Sequence, residues 1–339
     1  MIKYLYLTMF LTVLYSCVDN ETKLVTNDRP THNKGINDSV WVKDYSFKKG
    51  DIRRYGLQPN QPIFKRKLDI LLELGEKGLI LNFPKGYYNS DLIFAGNKNI
   101  TMYFDDATFG GSVEVIENNQ ENSRNIQFKG KLTVLDKVFI RKAKNISFDS
   151  LTIKSDTIRN LHHKLNRGLS IYVGSKNIQF NNLKIINTGG GQNKFYKHTA
   201  AALQIHGWNN NPEKVIIDNL LVENASRTAV YLTGNNHRIN KASIKNYGLK
   251  TSTKNIFGLD DAKPGSEKLF SGFWINKCND CYIDSLEVSN IAKADYSLKF
   301  GIGEYSHPAV INNLKLSKEA KREPIDDDML TNVLVKNEY

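Results

Sequence analysis

One alternation of apolar and polar positions recurs from Asn99 to Leu316. It reads "NITMYFDDATF", "NIQFKGKLTV", "NISFDSLTI", "NIQFNNLKI", "KVIIDNLLV", "HRINKASIK", "CYIDSLEV" and "AVINNLKL". Apolar-x-apolar on either side of a polar pair is the period of a strand with one buried face. The polar pair interrupts that period, at Asp105-Asp106, Lys129-Gly130, Asp149-Ser150, Asn181-Asn182, Asp218-Asn219, Asn240-Lys241, Asp284-Ser285 and Asn312-Asn313. Successive pairs lie 24, 20, 32, 37, 22, 44 and 28 residues apart. The shortest spacing suits one coil, and the excess suits inserted loops. A single coil cannot bury its apolar side alone, so the pattern predicts stacked coils: an all-β, single-stranded parallel β-helix. Asn and Asp suit the bend at the polar pair, because they tolerate left-handed backbone and can hydrogen-bond along a stack of equivalents. An antiparallel sandwich also alternates, but the same phrase above a fixed minimum spacing argues against it.

The segment before the repeat is different. "DIRRYGLQPNQPIFKRKLDILLELGEKGLILNFPKGYY" opens strand-like and then turns helical, with Phe64, Leu68, Leu71, Leu72 and Leu74 on roughly one side. Gly75 and Gly78 follow, then a strand ending at Pro84. A helix there covers the open end of a solenoid, which an exposed sheet edge requires. Together "DIRRYGL", the helix, "KGLILNFPKGYY" and "NITMYFDDATF" resemble the N-terminal portion of pectate-lyase-type right-handed β-helix proteins. That superfamily includes polygalacturonases, polysaccharide lyases and tailspike-like depolymerases. The resemblance spans roughly residues 41–316 and implies a right-handed β-helix; it speaks to the fold far more than to the reaction.

After each bend a second, shorter strand follows: "GLSIYVG" (168–174), "AALQIHG" (201–207), "TAVYLTG" (228–234), "SGFWINK" (271–277) and "YSLKFGI" (296–302). Alternation places Leu169, Leu203, Val230, Phe273 and Leu298 inward, together with Ile171, Ile205, Leu232, Ile275 and Phe300. Two outward columns remain. One is Ser170, Gln204, Tyr231, Trp274 and Lys299; the other is Tyr172, His206, Thr233, Asn276 and Gly301. Neighbours in a column are expected at about 4.8 Å, the strand spacing. The loops ahead of these strands differ in length: 154–167, 187–200 and 246–270 are long and 223–227 is short. Long loops around a short one predict a cleft with Arg227 at its floor. Its walls would hold Arg159, His162, His163, Lys164, Arg167, Lys194, Tyr196, Lys197, His198, Lys254 and Lys263. Aromatic faces such as Tyr231 and Trp274, if exposed beside polar groups, stack on sugar rings; a lone aromatic more often packs beneath a loop.

Charge sharpens the choice of ligand. The chain carries 47 Lys and Arg against 35 Asp and Glu, a formal +12, which suits an acidic polymer. The N-terminus bears on which one. "MIKYLYLTMFLTVLYSC" has one Lys and an apolar run too short to span a bilayer comfortably, ending at Cys17. "LYSC" resembles a bacterial lipoprotein box, implying cleavage before Cys17 and lipidation of its thiol; the plainer alternative is an ordinary secretory signal. The expected organisation is a signal peptide at 1–16, a polar tether at 17–40, the β-helix at 41–320 and a C-terminal cap or tail at 321–339. Export to an outer-membrane anchor makes an acidic polysaccharide the expected partner, with no nucleic acid, membrane contact through the lipid only, and a monomeric chain. Cys278 and Cys281 supply two thiolates where structural zinc needs four ligands, so a local disulfide or two packed thiols is expected.

The resembled polygalacturonases use a motif like "NTDG" followed by "GDD", and glycoside hydrolysis needs an acid and a base or nucleophile. Here the pre-strand positions read "NR" (166–167), "TA" (199–200), "SR" (226–227) and "LF" (269–270), with no carboxylate, and "NTGG" (187–190) lacks the Asp. Elimination needs other groups. Arg, Lys or Ca²⁺ neutralises the uronate carboxylate, and a Lys, His, Tyr or Arg removes the adjacent proton. The expected catalytic set is Arg227 as neutraliser, Lys197 or His206 as base and Tyr231 as proton donor or stacking platform. Arg167, Tyr172, His198, Trp274 and Lys299 are expected to bind substrate. The sequence establishes no cofactor, and Ca²⁺ is the one candidate. The expected activity is β-elimination on an acidic, uronate-containing polysaccharide. Three alternatives stay open: a hydrolase using Asp260, Asp261 or Asp295, a uronate epimerase, and a non-catalytic glycan-binding lipoprotein. Asp326, Asp327 and Asp328 read as a solvated turn.

Overall fold

A computed structural model describes residues 35–154, 168–188, 201–207, 212–249, 270–289, 296–301, 306–317 and 333–339. The described residues form a parallel β-helix with an α-helix at its N-terminal end, as the repeat and the segment before it predict. Each coil contributes a long strand and a short one. The long strands include Lys98–Phe109, Arg124–Val134, Lys144–Lys154, Lys176–Ile186, Glu213–Glu223, Arg238–Lys245, Tyr282–Ser289 and Ala309–Leu316, and each pairs in parallel with the next. The short strands form a second parallel ladder through Leu92–Ala95, Val113–Ile116, Val138–Arg141, Leu169–Tyr172, Ala201–Ile205, Thr228–Asn235, Ser271–Asn279 and Tyr296–Phe300.

Burial shows why the long strands bend. In Lys144–Lys154 the buried residues are Ile146, Phe148, Leu151 and Ile153, and Asp149-Ser150 breaks the alternation. A straight strand would send Leu151 and Ile153 to the other face, so keeping both halves inside requires a turn at the polar pair. The register confirms the equivalence of these pairs: Ser150 lies opposite Asn182, Asn182 opposite Asn219, Asn219 opposite Lys241, Lys241 opposite Ser285 and Ser285 opposite Asn313. The first two coils depart from it. Asp106 and Gly130 take positive φ, and the register slips there. A Cβ on Gly130 would lie 2.3 Å from the Phe104 carbonyl oxygen, so that slip requires glycine.

The left-handed asparagine ladder falls elsewhere than the sequence suggests. The Asn that opens each phrase carries it: Asn99, Asn125, Asn145 and Asn177 have φ of 56–58°. Each amide donates to the preceding one at 2.8, 2.9 and 3.0 Å. A second ladder joins Asn187, Asn224 and Asn246, also at positive φ, with both bonds 3.0 Å. Apart from Asp106 and Gly130, the central pairs keep negative φ, and some of their side chains also bond from coil to coil, as Asn240 does to Asp218 (2.7 Å).

Phe104, Phe128, Phe148 and Phe180 stack through the core. The capping helix α1 (Lys65–Glu76) covers the first rung with Leu68, Leu71, Leu72, Leu74 and Gly75, the last set directly against Ile100. Phe64, expected on this inner side, instead ends up 68 % exposed as the N-cap residue. Cys278 and Cys281 form a disulfide, resolving the two options left by the sequence.

Candidate functional site

The short-strand ladder carries the first of the two outward columns in the expected register, and the register shifts between Leu232 and Gly234 in the second. Ser170 lies opposite Gln204, Gln204 opposite Tyr231, Tyr231 opposite Trp274 and Trp274 opposite Lys299. The inward residues Leu169, Leu203, Val230, Phe273 and Leu298 pair equally well and are buried. Burying one face of each strand therefore fixes the other face as a row on successive rungs.

The side chains of the two columns lean into one continuous row. Tyr172 meets His206 edge-on at 6.1 Å between centroids, His206 meets Tyr231 at 5.5 Å, and Tyr231 meets Trp274 at 4.7 Å. The Lys299 ammonium sits 5.0 Å from the Trp274 ring centre, within cation–π range. At the other end Phe139 continues the row, 5.4 Å from Tyr172, with the Arg141 guanidinium 5.8 Å from its ring. The sequence reading missed Phe139. It sits in "KVFIRK", which alternates like the other short strands but has no long loop before it to draw attention.

Hydrogen bonds orient the polar ends. The Tyr172 hydroxyl donates to Gln204 Oε1 (3.1 Å), and the Asn276 amide donates to the Tyr231 hydroxyl (3.0 Å). Burial lowers the His206 pKa below its ordinary value, so the imidazole is neutral at neutral pH. Burial raises that of Tyr231, against the opposing pull of the Asn276 bond, so its phenol stays protonated. Among the described residues the buried Trp274 indole N–H and Ser170 hydroxyl have no hydrogen-bond partner.

Exposure differs from the expectation at three of the expected site positions. Tyr231 and Arg227 are each only 2 % exposed, and Tyr172, expected to bind substrate, is buried at 7 %. The Tyr231 ring is held between His206 and Trp274, so it is no open stacking platform, and the Arg227 guanidinium lies 5.8 Å from the Phe270 ring centre, sealed from solvent. His206, Trp274 and Lys299 are half-buried and reach the surface. The other expected site residues, Arg167, Lys197 and His198, lie outside the described residues, as do Cys17, Arg159, His162, His163, Lys164, Lys194, Tyr196, Lys254, Asp260, Asp261, Lys263, Asp295 and Asp326 to Asp328. Among the described residues, no group of three His, Cys, Asp or Glu side chains is placed to hold a metal ion.

No family model, curated protein or solved structure matches the chain.

Proposed function

We propose that the protein is a polysaccharide-degrading enzyme that cleaves an acidic, uronate-containing chain by β-elimination. The observation that carries this reading is the row Tyr172–His206–Tyr231–Trp274–Lys299, which joins a neutral imidazole, a protonated phenol and a cation without a carboxylate among its members. His206, neutral because it is buried, takes the proton beside the uronate carboxyl. The protonated His206 then returns that proton to the leaving oxygen, while Tyr231, covered by His206 and Trp274, holds the imidazole in place. Lys299 pairs with the carboxylate and offsets the charge that develops in the enolate-like intermediate. Arg227 is sealed beneath Phe270, so this reading gives it no contact with substrate. The parallel β-helix supports a place beside the pectate-lyase-type proteins. The Cys278–Cys281 disulfide and the formal +12 charge support an exported chain, lipid-anchored at Cys17 and acting on an anionic glycan.

One observation favours a second reading. The edge-to-face burial of Tyr231 is also how a purely structural or glycan-binding row would pack. Incubation with a panel of acidic polysaccharides separates the readings. Ultraviolet absorbance from an unsaturated sugar end supports elimination. New reducing ends without that absorbance mean hydrolysis, and binding without cleavage means a binding protein.

A further inference from the structure

The N-terminal cap has a surface that neither its own core nor the proposed site uses. Among the described residues six large apolar side chains are well exposed, and three of them, Val40 (77 %), Tyr45 (71 %) and Phe64 (68 %), fall within this one short segment. Contacts tie them into one patch. Val40 lies in the turn Ser39–Trp41 that follows Asp38, and Asp38 binds the Arg54 guanidinium at 2.9 Å. Arg54 stands over the Tyr45 ring at 5.0 Å, and its carbonyl holds the backbone N–H of Lys43. The Lys43 side chain runs beside Gly56, whose carbonyl accepts from Lys67, and the Lys67 ammonium lies 6.0 Å from the Phe64 ring centre.

The same segment is basic. Residues 35–67 hold eight Lys and Arg against three Asp, a formal excess of five within the whole chain's +12. Two of the three carboxylates already face inward, Asp38 to Arg54 and Asp51 to Arg53, while Lys43, Lys48, Lys65 and Arg66 are exposed. Exposed apolar and aromatic side chains set among cations form the chemistry of a surface that lies on an anionic bilayer: the cations attract lipid phosphates, and the apolar groups enter the headgroup boundary. An acidic polysaccharide would meet the charge but leaves Val40 and Phe64 unexplained. In sequence the patch follows directly on the N-terminal stretch that includes the apolar run before Cys17.

We propose that this cap docks on an anionic phospholipid surface, so that the β-helix stands on the membrane by its N-terminal end. The biological setting rests on the lipid-anchor reading; the docking itself is tested without the lipid. The chain from Val18 to Tyr339, which holds the whole compact unit beginning at Asn33, is sedimented with phosphatidylcholine vesicles with and without phosphatidylglycerol. It is expected to sediment with the phosphatidylglycerol vesicles at low salt and to be released by added salt. The double variants Lys65→Glu/Arg66→Glu and Tyr45→Ser/Phe64→Ser are each expected to lower partitioning roughly tenfold, with thermal midpoints unchanged. Equal sedimentation of parent and both variants, or no sedimentation at all, overturns the proposal. Loss of acidic-polysaccharide binding in the same variants also overturns it, by assigning the patch to substrate. The mass of the chain recovered from cells reports lipidation at Cys17 separately, so failure of the anchor reading and failure of docking are distinguishable.

Discussion

Two aromatic rows run along this coil, one inside and one outside. Inside, the planes of Phe104, Phe128, Phe148 and Phe180 lie within 11°, 11° and 8° of one another. Outside, the rings from Tyr172 through His206 and Tyr231 to Trp274 are turned by 81°, 62° and 73°. Both rows are built on the same strand spacing, so the backbone does not set the difference. The inner row repeats one residue at one strand position, and a simple translation by one rung leaves the rings parallel. The outer row changes residue at each step, so each ring presents an edge to the next face, as the ring quadrupoles favour. Repetition yields a uniform support, whereas variation yields a line of different polar groups. In a protein built from repeats, function is best sought where the repeat is broken on a surface that the fold holds rigid.

The largest effect should come from breaking the inner row. Phe148→Ala removes the ring lying 4.1 Å from Phe128 and 5.0 Å from Phe180, and is expected to cost about 3–5 kcal/mol in denaturant unfolding. Trp274→Ala in the half-buried outer row is expected to cost about 1 kcal/mol. Equal costs would erase the distinction between support and surface.

Acid tests a buried histidine outside both rows' ring contacts. His237 is buried, its Nδ1 accepts from the Val215 N–H (3.0 Å), and its Nε2 lies 3.0 Å from the Thr233 carbonyl. Burial lowers its pKa from 6.5 to about 4, opposed by the Thr233 bond and Glu213. The unfolded chain therefore binds the proton more readily, and the stability this neutral ring confers is complete above pH 6.5 and lost as pH falls toward 4. The loss is expected to reach about 3 kcal/mol, and His237→Gln should flatten that part of the stability profile.

A smaller effect than that of acid concerns the asparagine ladder. Asn145→Ala removes two side-chain hydrogen bonds, one donated to Asn125 and one accepted from Asn177, and leaves a β-carbon in left-handed backbone (φ 58°), at an expected cost of about 1–2 kcal/mol. Asn145→Gly relieves the backbone alone and should cost less. If glycine proved worse than alanine in thermal unfolding, hydrogen bonding and left-handed tolerance would not be what Asn supplies there.

The coil was legible in the sequence because strand alternation and the recurring phrase report burial directly. Residues pair as the alignment places them, from Leu169 and Leu203 to Phe273 and Leu298. The choice of left-handed residue was not legible: most phrases hold more than one Asn or Asp, and only backbone geometry separates Asn145 from Asp149. Direction was legible at the candidate site and exposure was not. Alternation shows that Tyr231 points away from the core, but its neighbours His206 and Trp274 come from rungs far apart in sequence, and they cover it. Phe64 went wrong in the opposite sense, since helical periodicity cannot tell an N-cap residue from the first residue of the buried stripe.

The central claim is that the varied outer row carries the chemistry while the uniform inner row carries the fold. His206→Gln, assayed for unsaturated product and thermal midpoint in one preparation, tests it most directly. The account expects turnover to fall roughly 10²–10⁴-fold with the midpoint nearly unchanged. The parent's activity should also fall in acid only below the ordinary histidine pKa, because burial lowers that of His206. Unchanged turnover in the variant, or turnover lost only in step with the midpoint, would contradict it.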